Sequence, residues 1–295
     1  PIEAEQRITF PIETIMAGLP HLDYTRSISR YGLSQVTVVF KDGVDVYFAR
    51  QQVSQRIQEA KGRLPMGIEP MMGPISTGLG EIFMWTVDVQ EGARKPDGTE
   101  YTTTDLREIQ DWVIRPQLRM VKGVTEINTV GGYVKQFHVV LYPEKMISFG
   151  LAPGDLINAL ERNNMNVGAG YIERSGEQYL VRVPGQIANL EEIGNIILGS
   201  WQGTPIRVKD VADILIGKEL RTGAATQNGK EVVLGTVHML IGENSRLVAQ
   251  AAANKLEEIN RNLPEGIVTT PVYDRTILVE KTIHTVAKNL LEGAA

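Results

Sequence analysis

A chain of 295 residues is about twice the common domain size of ~150 and calls for two or three cores rather than one. Hydrophobic residues at 42% and charged residues at 22% exclude the disordered and low-complexity classes, and zero cysteines exclude disulfides and thiolate metal cages. A formal net charge of −5, with 30 Lys and Arg scattered along the chain, leaves no basic stripe for phosphates and argues against nucleic acid as a partner.

The pattern of apolar residues and breakers predicts, in order, a helix over 3–17 and strands over 24–29 and 36–40. Gly43 then leads into a helix over 45–61 that ends at Leu64-Pro65-Met66-Gly67, and a further strand is expected after it. The glycine-rich stretch 73–82 precedes a strand over 82–89, a helix over 104–120 and a strand over 124–130. From about 131 to 217 an insertion carries a strand over 134–142, a short helical turn and a helix over 153–163. A hairpin across Arg174-Ser175-Gly176-Glu177 and short strands near 196–198 and 211–216 complete it. A strand over 232–240, a helix over 245–261, a closing strand and a helical segment over 279–291 follow. No apolar run reaches the ~18 residues needed to cross a bilayer, so membrane contact is expected only through segments outside these residues. The chain opens at Pro1 without an initiator Met and stops inside a helical segment, so it reads as a fragment.

An internal repeat organises this series. Leu64-Pro65-Met66-Gly67-Ile68 recurs as Leu263-Pro264-Glu265-Gly266-Ile267, and at the same offset Thr37-Val38 lies over Thr236-Val237 and Gly43 over Gly242. The second copy reads β-α-β, insertion, β-α-β, a split βαβ or ferredoxin-like pattern. The first copy follows the same plan without an opening strand. The fold class is therefore α+β, two ferredoxin-like units with an inserted mixed α/β subdomain.

Motifs for chemistry are sparse. The stretch 73–82 is followed by a strand and lacks a Gly-Lys-Ser/Thr, which favours a linker over a phosphate loop. There is no G-x-S-x-G elbow, so no enzyme active site is expected. His21, His138, His238 and His284 form no HExxH; the first is read as part of a solvated turn with Asp23, the next two as half-buried strand imidazoles, and His284 as sharing a solvated helix face with Glu280. Glu81 and Glu126 each open a strand and are candidate oxygen ligands for a divalent ion, although surface charge is the simpler reading. Met71, Met72 and Met84 flank the linker, where core packing is favoured over a thioether site.

Four long strings carry a family resemblance: SRYGLSQVTVVFKDGVDVYFARQQVSQRI (29–57), LPMGIEPMMGPISTGLGEI (64–82), DLREIQDWVIRPQLRMVKGVTEINTVGG (105–132) and PEGIVTTPVYDRTILVEKTI (264–283). They resemble the heavy-metal efflux branch of the resistance-nodulation-division transporters, closest to its cobalt-zinc-cadmium resistance pumps, in the first large periplasmic loop. The resemblance implies a first porter subdomain at 1–78, a second at 79–132 plus 218–276, a docking subdomain at 133–217 and, at 277–295, the start of a connection to a transmembrane helix. It also implies a first porter strand and a transmembrane helix before Pro1. The expected function is one side of the cleft of a proton-driven pump for divalent cations such as zinc, cobalt or cadmium. The cation is its cargo and no cofactor is bound tightly. The pump is expected to be a homotrimer in the bacterial inner membrane, this portion being periplasmic, with a periplasmic adaptor and an outer-membrane channel as partners. By resemblance Glu81, and less directly Glu126, face the metal cleft, and the hairpin with Tyr171, Glu173, Arg174, Gly176 and Tyr179 reaches into a neighbouring protomer. The alternatives are a pump for organic amphiphiles, disfavoured by 6% aromatics with Phe83 and Trp85 alone near the cleft, and a free-standing metal-binding protein of duplicated units.

Overall fold

The computed structural model describes residues 1–76, 78–165, 167–174, 177–183, 185–221 and 223–294. The chain divides into two compact units, Pro1–Pro74 and Ile75–Ala295.

In the first unit a helix over residues 2–16 precedes the antiparallel hairpin of β1 (Leu22–Arg30) and β2 (Leu33–Phe40). The helix Val46–Lys61 follows, started by Asp45, whose carboxylate accepts the Phe48 backbone N–H at 2.8 Å. Both helices close over the hairpin: Ile12, Met16 and Leu19 are buried against Val36, Val38, Phe40, Val53 and Ile57. Polar contacts fix the same interface, because buried Thr9 exchanges hydrogen bonds with Ser29 (2.8 Å) and Ser34 (2.7 Å). The strand expected after Gly67 does not form: residues 66–74 are irregular. A strand needs a partner, and its counterpart in the second unit, β13 (Ile267–Asp274), finds one in that unit's opening strand. The first unit has no equivalent among the described residues.

The second unit holds a four-membered antiparallel array, β4 (Val124–Val130), β12 (Lys230–Met239), β3 (Glu81–Val89) and β13 (Ile267–Asp274), in that spatial order. The short β11 (Ala225–Gln227) pairs with the start of β12, at residues 230–232, and β4 pairs with β12 at residues 234–239. In chain order this is strand 4-1-3-2 read from the β13 edge, the ferredoxin-like arrangement the repeat predicts. Helices over residues 103–119 and Ser245–Asn260 cover one face. Between them and the sheet lie Phe83, Trp85, Val87, Ile127, Val233, Val237, Ala252 and Leu256, each nearly inaccessible to solvent and each contributing roughly 1.5–3 kcal/mol if large and fully buried.

The helices of the two units share an irregularity that reinforces the repeat. Glu5–Thr9 and Gln110–Ile114 are both π-helical turns, and each is followed two residues later by a proline, Pro11 and Pro116. Proline lacks an N–H and crowds the carbonyl four residues back, here Arg7 and Trp112, so a widened turn relieves the clash without ending the helix.

The insertion leaves the sheet at Gly131, whose φ of 86° and whose Cβ position 2.4 Å from Val232 O admit no side chain. It contains β5 (Lys135–Leu141) paired with β10 (Ala212–Lys218), β6 (Val167–Arg174) with β7 (Glu177–Val183), and β8 (Ile197–Trp201) with β9 (Thr204–Arg207). Its own cores centre on Leu156, Ile193 and Val208, and on Met146, Ile206 and Val211. No helix among the described residues is long and apolar enough to cross a membrane.

Candidate cation-binding row

The start of β3 is where sequence candidates gather. The turn Gly78–Gly80 delivers the chain to Glu81, the first residue of β3, and the preceding segment lies along the end of β12, where Ile241 N–H donates to Ile75 O (3.4 Å). Arg275, at the head of the helix Arg275–Ala294, donates to Leu79 O and holds the same segment from the other side.

Sheet register then places three polar residues in one row across three strands: Glu81 on β3 faces His238 on β12, and His238 faces Glu126 on β4. Irregularities in pairing flank His238 on both sides, between Val237 and His238 towards β3 and between His238 and Met239 towards β4. Along β12 and β4, His238 and Glu126 alternate with the core residues Val237 and Ile127, and on β3 the bulge that adds buried Ile82 between Glu81 and Phe83 keeps Glu81 in register with His238.

The three differ in what already engages them. The Glu126 carboxylate accepts from Arg115 (3.1 Å) and stands 3.8 Å from Arg119, both on the 103–119 helix, so its charge is compensated from within the fold. Buried His238 shares a 3.0 Å hydrogen bond between Nε2 and Asn128 Nδ2. Half-buried Glu81 has no hydrogen bond or ion pair to its carboxylate among the described residues. An anionic oxygen pair held without a counter-charge attracts a cation; one flanked by two guanidinium groups does so far less.

The other sequence candidates are dispersed. Glu280 pairs with Arg246 (3.3 Å), both side chains exposed, on the helix face it was expected to share with His284. His21 sits at φ 60° with its ring edge against Phe48, and His138 Nε2 meets Gln136 Oε1 at 3.2 Å. No group of three or more His, Asp or Glu able to hold a metal occurs among the described residues. Met71 and Met72 border a cavity of about 150 Å3 in the first unit together with Met16, while Met84 lies mid-strand on β3. Phe83 and Trp85 do not line a cleft: both are fully buried and stacked at 6.1 Å, because their strand positions face the helix layer.

The hairpin candidates fall on β6 and β7, which pair with one another so that Tyr171 faces Leu180, Ile172 faces Tyr179 and Arg174 faces Glu177. Glu173 is exposed, and Gly176 lies outside the described residues. Sequence reasoning directed Glu81 and Glu126 to one cleft but missed His238 between them, and the signal that finds it is the strand order of the split βαβ pattern combined with register.

The whole chain, residues 1–295, matches the AcrB/AcrD/AcrF family. It is 68% identical over 294 residues to the cation efflux system protein CzcA of Alcaligenes sp. (strain CT14) and 48% identical over 319 residues to the nickel-cobalt-cadmium resistance protein NccA of Alcaligenes xylosoxydans xylosoxydans. Those alignments take in 100% of this chain but only 28% and 30% of the relatives, so the chain spans less than a third of their length. Among solved structures, a heavy metal efflux pump in its crystal form II superposes with a TM-score of 0.87 at 32% identity, over 99% of this chain and 28% of that one. Profile, sequence and structure converge over every segment described above, and the chain belongs to the AcrB/AcrD/AcrF family of resistance-nodulation-division transporters.

Proposed function

We propose that this chain is the periplasmic porter and docking portion of a proton-driven pump exporting divalent heavy-metal cations of the zinc, cobalt and cadmium type, and that Glu81 contacts the cation in transit. Its role is transport and not catalysis, and the cation is cargo. Residues 1–78 and 79–132 plus 218–276 are the two porter subdomains, 133–217 is the docking subdomain, and 277–295 leads towards a membrane helix of the inner membrane. The hairpin with Tyr171, Glu173, Arg174, Gly176 and Tyr179 joins protomers of a homotrimer, which works with a periplasmic adaptor and an outer-membrane channel.

The observation that carries this reading is the uncompensated carboxylate of Glu81 at the head of β3, in a chain whose full-length relatives are named for cation efflux and metal resistance. Hard and borderline divalent ions take carboxylate oxygen, and a transport site must bind weakly enough to release. A pump for organic amphiphiles has less support, because Phe83 and Trp85 are committed to the core.

The test is Glu81→Ala in the full-length protein, with resistance to zinc, cobalt, cadmium and copper measured separately. Loss of resistance to at least one divalent ion at normal protein level is expected. An unchanged profile for all four removes Glu81 from the transport route.

A further inference from the structure

We infer that His238 is a second ligand of the same cation, a ring nitrogen set beside the Glu81 carboxylate that biases this side of the route towards borderline ions such as zinc and cobalt over hard ions such as magnesium. The inference rests on the reading of Glu81 as a cation contact and adds a residue and a selectivity to it.

Three observations carry it. His238 and Glu81 are register partners across β12 and β3 beside the bulge at Ile82, and since facing side chains in a regular antiparallel pair have Cβ atoms roughly 4.5–5.5 Å apart, an imidazole nitrogen and a carboxylate oxygen from such neighbours can meet at one ion with bonds of about 2.0–2.2 Å. The ring is held in place, being buried and bonded through Nε2 to Asn128. Its second nitrogen is uncommitted: Nδ1 makes no hydrogen bond among the described residues.

Asn128 completes the arrangement. With its Nδ2 towards the ring, Asn128 donates and His238 carries its proton on Nδ1. Turning the amide by half a rotation presents Oδ1 to an Nε2–H, the tautomer in which Nδ1 has a free lone pair, and an outer amide or carboxylate that fixes the far nitrogen is the usual companion of a metal-bound histidine. On the other side of His238, Glu126 is held by Arg115 and Arg119, so the two ligands on this row are Glu81 and His238, the remaining positions falling to water or to groups outside this chain. Oxygen-only sites favour magnesium and calcium, whereas imidazole favours zinc, cobalt and nickel.

Zinc chloride titrated into the 295-residue chain, followed through the ring nitrogens of its four histidines by 1H–15N NMR, tests the assignment without altering His238. His238 Nδ1 is expected to move towards a metal-bound shift, and His21, His138 and His284 to stay. Magnesium chloride at the same concentrations is expected to leave His238 unmoved. Glu81→Gln is expected to weaken the zinc effect on His238 at least tenfold, and Glu126→Gln to change it less than threefold. A His238 signal that stays fixed at millimolar zinc, or that moves equally with magnesium, overturns the inference. If His238 stays fixed while Glu81→Ala still lowers resistance in the full-length protein, the pairing is wrong and the reading of Glu81 stands.

Discussion

The indole of Trp85 occupies the space that a side chain on Gly235 would need. The two face each other across β3 and β12, and a Cβ on Gly235 would lie 2.3 Å from Cζ2 and 2.4 Å from Cε2 of the ring. Behind the ring, Trp85 Nε1–H donates to Gln110 Oε1 at 3.0 Å, and Gln110 is itself fully buried in the π-helical turn of the 103–119 helix. One glycine thus sets how closely the helix layer approaches the sheet.

Gly235→Ala is therefore expected to destabilise the second unit by about 1–3 kcal/mol through overpacking, and Trp85→Ala by about 3–5 kcal/mol through the cavity it leaves. Urea unfolding monitored by circular dichroism measures both. A Gly235→Ala protein with an unchanged midpoint would show that the ring can move aside at no cost.

The acid limb of stability has a local source in Asp105. Partial burial works against its ionised form, yet hydrogen bonds from the Thr102 side chain and backbone, together with Lys95 at 3.1 Å, hold its carboxyl below the ordinary carboxylate value of 3.8. A carboxyl with a lowered folded-state pKa adds stability that is fully present above its unfolded value and disappears as pH falls through the folded one. Asp105→Asn should flatten the decline in thermal midpoint below about pH 4, while costing about 1 kcal/mol at neutral pH through the weakened helix start. A variant whose acid profile runs parallel to the parent's would place the effect elsewhere.

Hydrogen exchange should separate the two units. β2 has β1 as its partner among the described residues, whereas β12 is paired on both edges. Amides of residues 33–40 are expected to exchange at least tenfold faster than those of 233–238, since opening a two-stranded hairpin breaks fewer contacts than opening the centre of a sheet. Equal protection of both segments would mean that β2 has acquired a second partner in solution.

For the β6–β7 hairpin, whose strands pair with each other, removal of residues 171–179 should leave the thermal midpoint of the 295-residue chain within about 2 °C. The same deletion in the full-length protein should weaken trimerisation in cross-linking or mass photometry. A trimer of undiminished stability would count against the hairpin as an assembly element.

Much of this architecture is written locally. The strand and helix over 36–61 and their counterparts over 232–261 follow from apolar periodicity, Asp45 and Asn244 at the helix starts, and Leu-Pro-x-Gly at their ends. Those signals act within a few residues, through backbone geometry and side-chain capping, so they survive being read one window at a time. The repeat spacing adds the ferredoxin-like strand order, because two copies of one pattern fold alike.

Pairing decided the rest. Whether residues 66–74 become a strand depends on a neighbour to bond with, and the same Leu-Pro-x-Gly signal gives β13 in one unit and irregular chain in the other. Glu81 and Glu126 are alike as strand-opening carboxylates in sequence; the fold alone brings Arg115 and Arg119 to one and leaves the other beside His238. Both effects act through space over a few ångströms, and the pairing of Glu81 with His238 joins residues more than a hundred positions apart. The sequence therefore determined which residue types were available for a cation, and the register of β3, β12 and β4 determined which of them stand together.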